Sequence, residues 1–208
     1  MDCLGSIQKW SRYVINMDMN METVIGIIAV VLFVLFLIWF IQTSNRLIIL
    51  DENVELSWRN IDVLLKQRYD MIPNLVETVK GYAKHESDIW NNFAEARNMG
   101  SSSLASGNMA GVSKAESMLA GMMPRINAVI EQYPELKADS SFADLRKQLV
   151  GLENQIADRR EFFNATATSY NKVIRLFPTS IVALIKRNEK KDLFIVEGIE
   201  RENVKIQF

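Results

Sequence analysis

The chain has 208 residues, with 24 basic and 25 acidic side chains and a formal net charge of −1 at pH 7. Two basic and three acidic residues precede residue 42, so 22 of each sign remain in the rest of the chain. This even balance excludes attraction of nucleic acid by bulk charge, and the single cysteine, Cys3, excludes an internal disulfide.

The first 23 residues are polar and carry apolar side chains at helical spacing, namely Leu4, Ile7, Trp10, Val14 and Met17. Such a segment either lies along a membrane surface or is a frayed terminus, and the sequence leaves both interpretations open.

Residues 24–41 read VIGIIAVVLFVLFLIWFI, from Val24 to Ile41, without a charge, an amide or a proline. As a helix rising about 1.5 Å per residue, the run spans roughly 27 Å, close to the hydrocarbon thickness of a bilayer. Trp39 suits the interfacial zone near one end. Since no small-x-small cleavage site precedes Asp51, we expect a retained, single-pass transmembrane helix. Basic residues flank it evenly, so they predict no orientation.

Two later segments repeat apolar residues at alternating spacings of three and four, which is typical of long helices packed side by side. The first consists of Val54, Trp58, Ile61, Leu65, Arg68, Ile72, Leu75, Val79, Tyr82, Glu86, Ile89, Phe93 and Ala96. The second consists of Phe142, Leu145, Leu149, Leu152, Ile156, Arg159, Phe163, Thr166, Tyr170, Val173 and Phe177. Ser140 or Ser141 is the predicted N-cap of the second helix.

Between these segments, residues 98–112 are rich in serine and glycine and predict a mobile loop. Ser113 and Glu116 then have capping-box spacing at the start of a shorter helix that Pro134 ends. The sequence therefore predicts an all-α fold, in which the transmembrane helix precedes an elongated antiparallel helical bundle over residues 42–185. We expect residues 186–208 to form an extended tail.

Polar residues on the two apolar seams predict a buried layer that sets helix register. Arg68 and Arg159 stand at seam positions, and we expect carboxylates and amides such as Glu153 and Asn164 to satisfy them. Glu86 is expected to reach solvent at the bundle edge instead.

Pro73 lies inside the first seam and removes a hydrogen bond to the Tyr69 carbonyl. We therefore expect a helix bend at Pro73 and Asn74.

Residues 58–86 read WRNIDVLLKQRYDMIPNLVETVKGYAKHE, which resembles the signature region of the LemA family of bacterial membrane proteins. The second half agrees with the family pattern at Glu153, Arg160, Asn164, Tyr170, Asn171, Phe177, Pro178 and Ala183, and so does the terminal VKIQF. Phe163 stands where the family usually has a tyrosine. The resemblance covers most of the chain.

This resemblance implies a membrane anchor, a long antiparallel bundle and no enzymatic activity. The family includes a protein of magnetotactic bacteria that is needed to form the magnetosome membrane, which implies a role in membrane organisation. Some members carry a lipoprotein-type signal in place of the helix, which favours an extracytoplasmic bundle.

No catalytic or metal site is expected, because His85 is the only histidine and Cys3 lies beyond the anchor. Asn164 and Asn171 are one heptad apart, and this amide ladder can bind a carbohydrate or a peptide. Alternatively, as most buried amides do, it makes hydrogen bonds between helices, to backbone or to Arg68. Two function classes remain: a scaffold at the cell membrane, or a tethered sensor or binding module. We expect membrane lipid, further copies of the chain and other membrane or envelope proteins as partners, with no nucleic acid and no cofactor.

Overall fold

The structure is a computed structural model that describes residues 21–82 and 87–196. In these ranges all regular structure is helical, which confirms the predicted fold class. The helices are α1 (Met21–Lys80), α2 (Ser87–Ala105), α3 (Met109–Gln132), α4 (Pro134–Ala138), α5 (Ser140–Val173) and α6 (Thr179–Ile185). The chain divides into two compact units, one ending at Arg46 and the other beginning at Leu47.

The first unit contains the beginning of α1. Its apolar side chains are exposed along most of the run that the sequence marks as a membrane span; Phe33, for example, is 61% exposed. Val24 and Trp39 are half-buried and Ile41 is exposed. A helix that is apolar on every face, and that is covered by no other described residue of its unit, is suited to lipid. The predicted polar segment lies outside the described residues up to residue 20.

The second unit is a bundle in which α1 and α5 run antiparallel. The rings of Trp58 and Phe163 lie 5.4 Å apart, and the Tyr82 hydroxyl donates to Asp139 at 2.9 Å. The step from Trp58 forward to Tyr82 is as long in residues as the step from Phe163 back to Asp139. The two helices therefore run in opposite directions and in register. Both helices contribute to one apolar core, as predicted, together with α2 and α3; its members include Ile61, Leu65, Ile72, Trp90, Phe93, Leu119, Ile126, Phe142, Ile156 and Tyr170.

The first heptad segment forms two helices, not the single helix that its spacing predicts. Helix α1 ends at Lys80, and the Tyr82 amide bonds to the Val79 carbonyl at 3.0 Å in a turn at Gly81. Glycine is a poor helix former, which favours a break there. Glu86 and His85 lie outside the described residues.

Pro73 gives its helix an acceptor for a neighbouring helix. Because Pro73 has no N–H, the Tyr69 carbonyl lacks its usual donor within α1. Arg97 of α2 takes that place, donating from Nε at 3.3 Å. Helix α1 continues past Pro73 and Asn74, both exposed, and the bend at these residues stays a prediction.

The predicted loop over residues 98–112 is wrong, because α2 and α3 form a tight helical hairpin there. Gly107 has a φ of +67°, and the amides of Gly107 and Asn108 bond to the carbonyls of Leu104 and Ser103. This pattern ends a helix and reverses the chain within a few residues.

Both predicted N-caps are also wrong. Asn108 caps α3 by accepting from the Gly111 amide at 3.0 Å, and Asp139 caps α5 by accepting from the amides of Ser141 and Phe142. Each observed cap lies before the predicted one. Asn and Asp are preferred N-cap residues, and one of them stands ahead of the predicted serine in both cases. Glu116 is left free for another role.

Small residues in the hairpin allow close packing. A Cβ atom at Gly100 would lie 2.4 Å from Cζ of Tyr69.

We expect Gly100→Ala to lower the free energy of unfolding by roughly 1–3 kcal/mol through overpacking. The matched control is Gly121→Ala in α3, where a Cβ would meet nothing within 4 Å; it should stabilise by about 0.5–1 kcal/mol. Denaturant unfolding followed by circular dichroism would measure both, and a stabilised Gly100→Ala would contradict the packing.

Candidate functional site

Two asparagines of α5 hold the C-terminal segment of the chain against the bundle. Asn171 accepts from the Lys191 amide at 2.9 Å and donates to the Lys191 carbonyl at 2.8 Å. Asn164 makes the same pair of bonds with Phe194, at 2.8 and 3.0 Å. Each side-chain amide therefore binds the donor and the acceptor of one residue, as a neighbouring strand would.

The spacing of the two asparagines matches the repeat of an extended chain. Seven residues of helix rise about 10.5 Å, and three residues of extended backbone span about 10 Å. Asn164 and Asn171 can therefore both bind, as they do here, a segment that is extended and that runs antiparallel to α5. The segment 188–196 (hereafter the tail) does so, since its later residue Phe194 binds the earlier asparagine.

Side chains of the tail extend this contact to α1. Phe194 and Val196 are buried while Leu193 and Ile195 are exposed, the alternation of a half-buried extended segment. The Phe194 ring meets Trp58 edge to face at 5.6 Å. Lys191 forms an ion pair with Asp51 at 2.6 Å, and this hydrogen bond raises the pKa of Lys191. The tail thus ties α1 to α5.

A buried ion pair joins α1 to α3 elsewhere in the core. Arg68 Nη1 and Glu116 Oε2 lie 2.7 Å apart, and their side chains are only 10% and 3% exposed. The Tyr69 hydroxyl is next to this carboxylate. Burial and the Glu116 charge raise the pKa of Tyr69. Burial also raises the pKa of Glu116, although the Arg68 charge opposes this shift.

The predicted polar layer is correct in only some of its members. Arg68 is buried on its seam, as predicted. Glu153 lies close enough for its negative charge to act on Glu116, which is a carboxylate and not one of the predicted arginines. Arg159 is exposed, and Asn164 binds the tail rather than an arginine, so both assignments are wrong. Arg160, half-buried, acts on Glu116 in the place predicted for Arg159.

The shift from Arg159 to Arg160 follows from helix geometry. The buried stripe of α5 passes through Leu152, Ile156, Phe163 and Ala167, at spacings of four, seven and four, which are longer on average than a strict alternation of three and four. A straight helix has 3.6 residues per turn, so a strict alternation of three and four drifts from its buried face.

Glu116 is the partner of Arg68 that the sequence did not predict. It lies on the buried stripe of α3 between Val112 and Leu119. An acidic residue on an otherwise apolar helix face was the signal in the sequence that could have identified it. Its capping-box spacing from Ser113 concealed that position.

A shallow groove of about 720 Å³ lies between the tail and the start of α3, with Ser113, Lys114, Ser117 and Asp192 among its lining residues. Over residues 21–82 and 87–196, no group of three or more His, Cys, Asp or Glu residues could hold a metal ion. The polar groups described above bind other parts of the same chain.

Fold and site together define a class of protein, a helical bundle that follows an apolar N-terminal helix and binds its own tail through an amide ladder. The chain belongs to the LemA family, whose profile matches residues 57–208.

Among curated proteins, the chain is similar to magnetosome proteins MamQ 1 and MamQ 2 of Paramagnetospirillum magneticum, each 24% identical over 81% of this chain and 70% of the relative. Magnetosome protein MamQ of Magnetospirillum gryphiswaldense is 24% identical over 80% of this chain and 70% of its own length.

Proposed function

We propose that this chain is a non-enzymatic structural protein of the bacterial cell membrane, whose anchored bundle associates with further copies of itself and recruits other membrane or envelope proteins. The apolar N-terminal helix and the magnetosome proteins among its relatives support a membrane role. The proposal includes an extracytoplasmic bundle, in keeping with the family members that resemble lipoproteins.

The observation that carries the self-association is an apolar stripe on the outer face of α1. Ile49, Leu56 and Val63 are one heptad apart, and each is more than half exposed. Residues at this spacing share one helix face, the pattern by which parallel helices pair. Copies inserted in a membrane in the same orientation have parallel α1 helices, so their stripes can pack against one another across a two-fold axis.

Disulfide trapping in intact membranes tests this association. The full-length chain with Cys3→Ser and Leu56→Cys should form a disulfide-linked dimer under mild oxidation, because paired stripes bring the two Leu56 positions together. Asp158→Cys in the same background is the matched control, since Asp158 is an exposed residue of α5. Dimers at neither position, or equally at both, would contradict a specific α1 interface.

A second candidate function, a tethered sensor or binding module, is favoured by the open groove between the tail and α3. A small ligand or peptide bound there would contact Asp192 and Ile195 of the tail and alter how it docks on α5. A monomeric particle in mild detergent would favour this function, whereas a discrete oligomer would favour the scaffold.

A further inference from the structure

In segment 176–185 the large apolar side chains are exposed and the small ones are buried, the reverse of the usual pattern. Its small residues Val182 and Ala183 are buried, while its large apolar residues face outwards: Leu176, Phe177, Ile181, Leu184 and Ile185. Phe177 is 82% exposed and Leu184 is 81% exposed. Large apolar side chains exposed together in one short segment of a folded domain (hereafter the patch) mark a surface that contacts something other than water.

The patch follows the end of α5 that packs beside residue 51. Asn171, near the end of α5, binds Lys191, and Lys191 is paired with Asp51 of α1. Asp51 is ten residues after Ile41, the last residue of the apolar run. Ten residues reach at most about 35 Å when fully extended. Chain length alone therefore limits how far Asp51, and the tail that it binds, can lie from the end of the span.

Charge around the patch fits a lipid surface. Residues 172–192 contain six basic and two acidic side chains. Lys191 is paired with Asp51, and the remaining basic residues, Lys172, Arg175, Lys186, Arg187 and Lys190, are exposed. The acidic residues, Glu189 and Asp192, both follow the apolar part. Apolar side chains between basic flanks are typical of segments that lie in the interface of an anionic bilayer.

We propose that segment 176–185 inserts its exposed apolar side chains into the interfacial region of the membrane that holds the anchor, with the flanking basic residues on anionic headgroups. The bundle then has two membrane contacts, one spanning and one interfacial, which limit its tilt. This contact is independent of whether copies associate through α1.

A depth-dependent quenching experiment on the full-length chain tests the contact. The chain with Cys3→Ser and Leu184→Cys is labelled with an environment-sensitive fluorophore and placed in nanodiscs of phosphatidylcholine and phosphatidylglycerol. Lipids spin-labelled near the headgroup should quench this probe by roughly twofold or more. The matched control is Glu135→Cys, an exposed position near the opposite end of α5; its probe should be quenched far less.

Two further measurements test whether lipid or another protein covers the Leu184 position. Lys186→Glu with Arg187→Glu should weaken the quenching at Leu184→Cys, because it reverses the charge that faces the headgroups. A Leu184 probe that is quenched no more than the Glu135 probe would overturn the proposal. Protection of Leu184→Cys from thiol reagents in native membranes but no quenching in nanodiscs would also overturn it, and would identify a protein as the occupant.

Discussion

Arg68→Ala should lower the free energy of unfolding by about 3–5 kcal/mol, because it leaves the Glu116 carboxylate buried without its cation. Denaturant unfolding of the detergent-solubilised chain, followed by circular dichroism, would measure this loss. The matched control is Arg59→Ala, since Arg59 pairs with Glu55 on the surface of the same helix at 2.9 Å. That change should cost no more than about 0.5 kcal/mol.

A double variant separates stability from register. Arg68→Leu with Glu116→Leu removes both charges and should be close to neutral in stability, because a buried pair is costly to desolvate. If the pair sets register, the double variant should still fold but pack less uniquely, with broader side-chain NMR signals. An Arg68→Ala variant that is as stable as Arg59→Ala would refute the buried pair.

Asn164→Ala with Asn171→Ala should release the tail from α5. The double change removes four hydrogen bonds, each worth about 1 kcal/mol, so docking should weaken by roughly 2–4 kcal/mol. Hydrogen exchange at the amides of Lys191 and Phe194 should accelerate strongly, and trypsin should cut more readily after Lys190.

Asn154→Ala is the matched control for this experiment, because Asn154 is an exposed asparagine of the same helix. The exchange of core amides in α1 should stay slow in all variants, which distinguishes tail release from global unfolding. Unchanged exchange at Lys191 and Phe194 in the double variant would show that the amide ladder does not hold the tail.

The helical fold could be predicted because its apolar stripes are long and regular. Residues such as Ile61, Leu65 and Ile72 reach the core where their spacing places them. The end of α1 was harder to predict, because the apolar stripe of α1 resumes in α2 after the turn at Gly81. Periodicity identifies a buried face, but it does not distinguish one helix from two that share the face.

The hairpin between α2 and α3 is helical although it has the composition of a loop. Gly100 is small because the Tyr69 ring packs against it, whereas Gly107 is needed for its positive φ. Both look like loop residues in the sequence. Close packing and chain reversal select the same amino acids, and only the tertiary contacts tell them apart.

The candidate site was partly predictable. The heptad spacing of Asn164 and Asn171 identified the ladder, but its partner was the chain's own tail, a contact between residues thirty and twenty positions apart. The partner of Arg68 was missed because Glu116 fitted a local capping pattern. Local motifs compete with long-range pairing, and burial decides between them only once the helices are packed.

Extraction of membranes with alkaline carbonate tests most directly whether residues 24–41 anchor this bundle in the bilayer. The full-length chain should stay in the membrane pellet, since an apolar run of this length contributes far more transfer free energy than a surface helix. Leu32→Arg with Leu35→Arg places two charges in the run and should shift the protein towards the supernatant. Release of the unaltered full-length chain by carbonate would contradict the anchor.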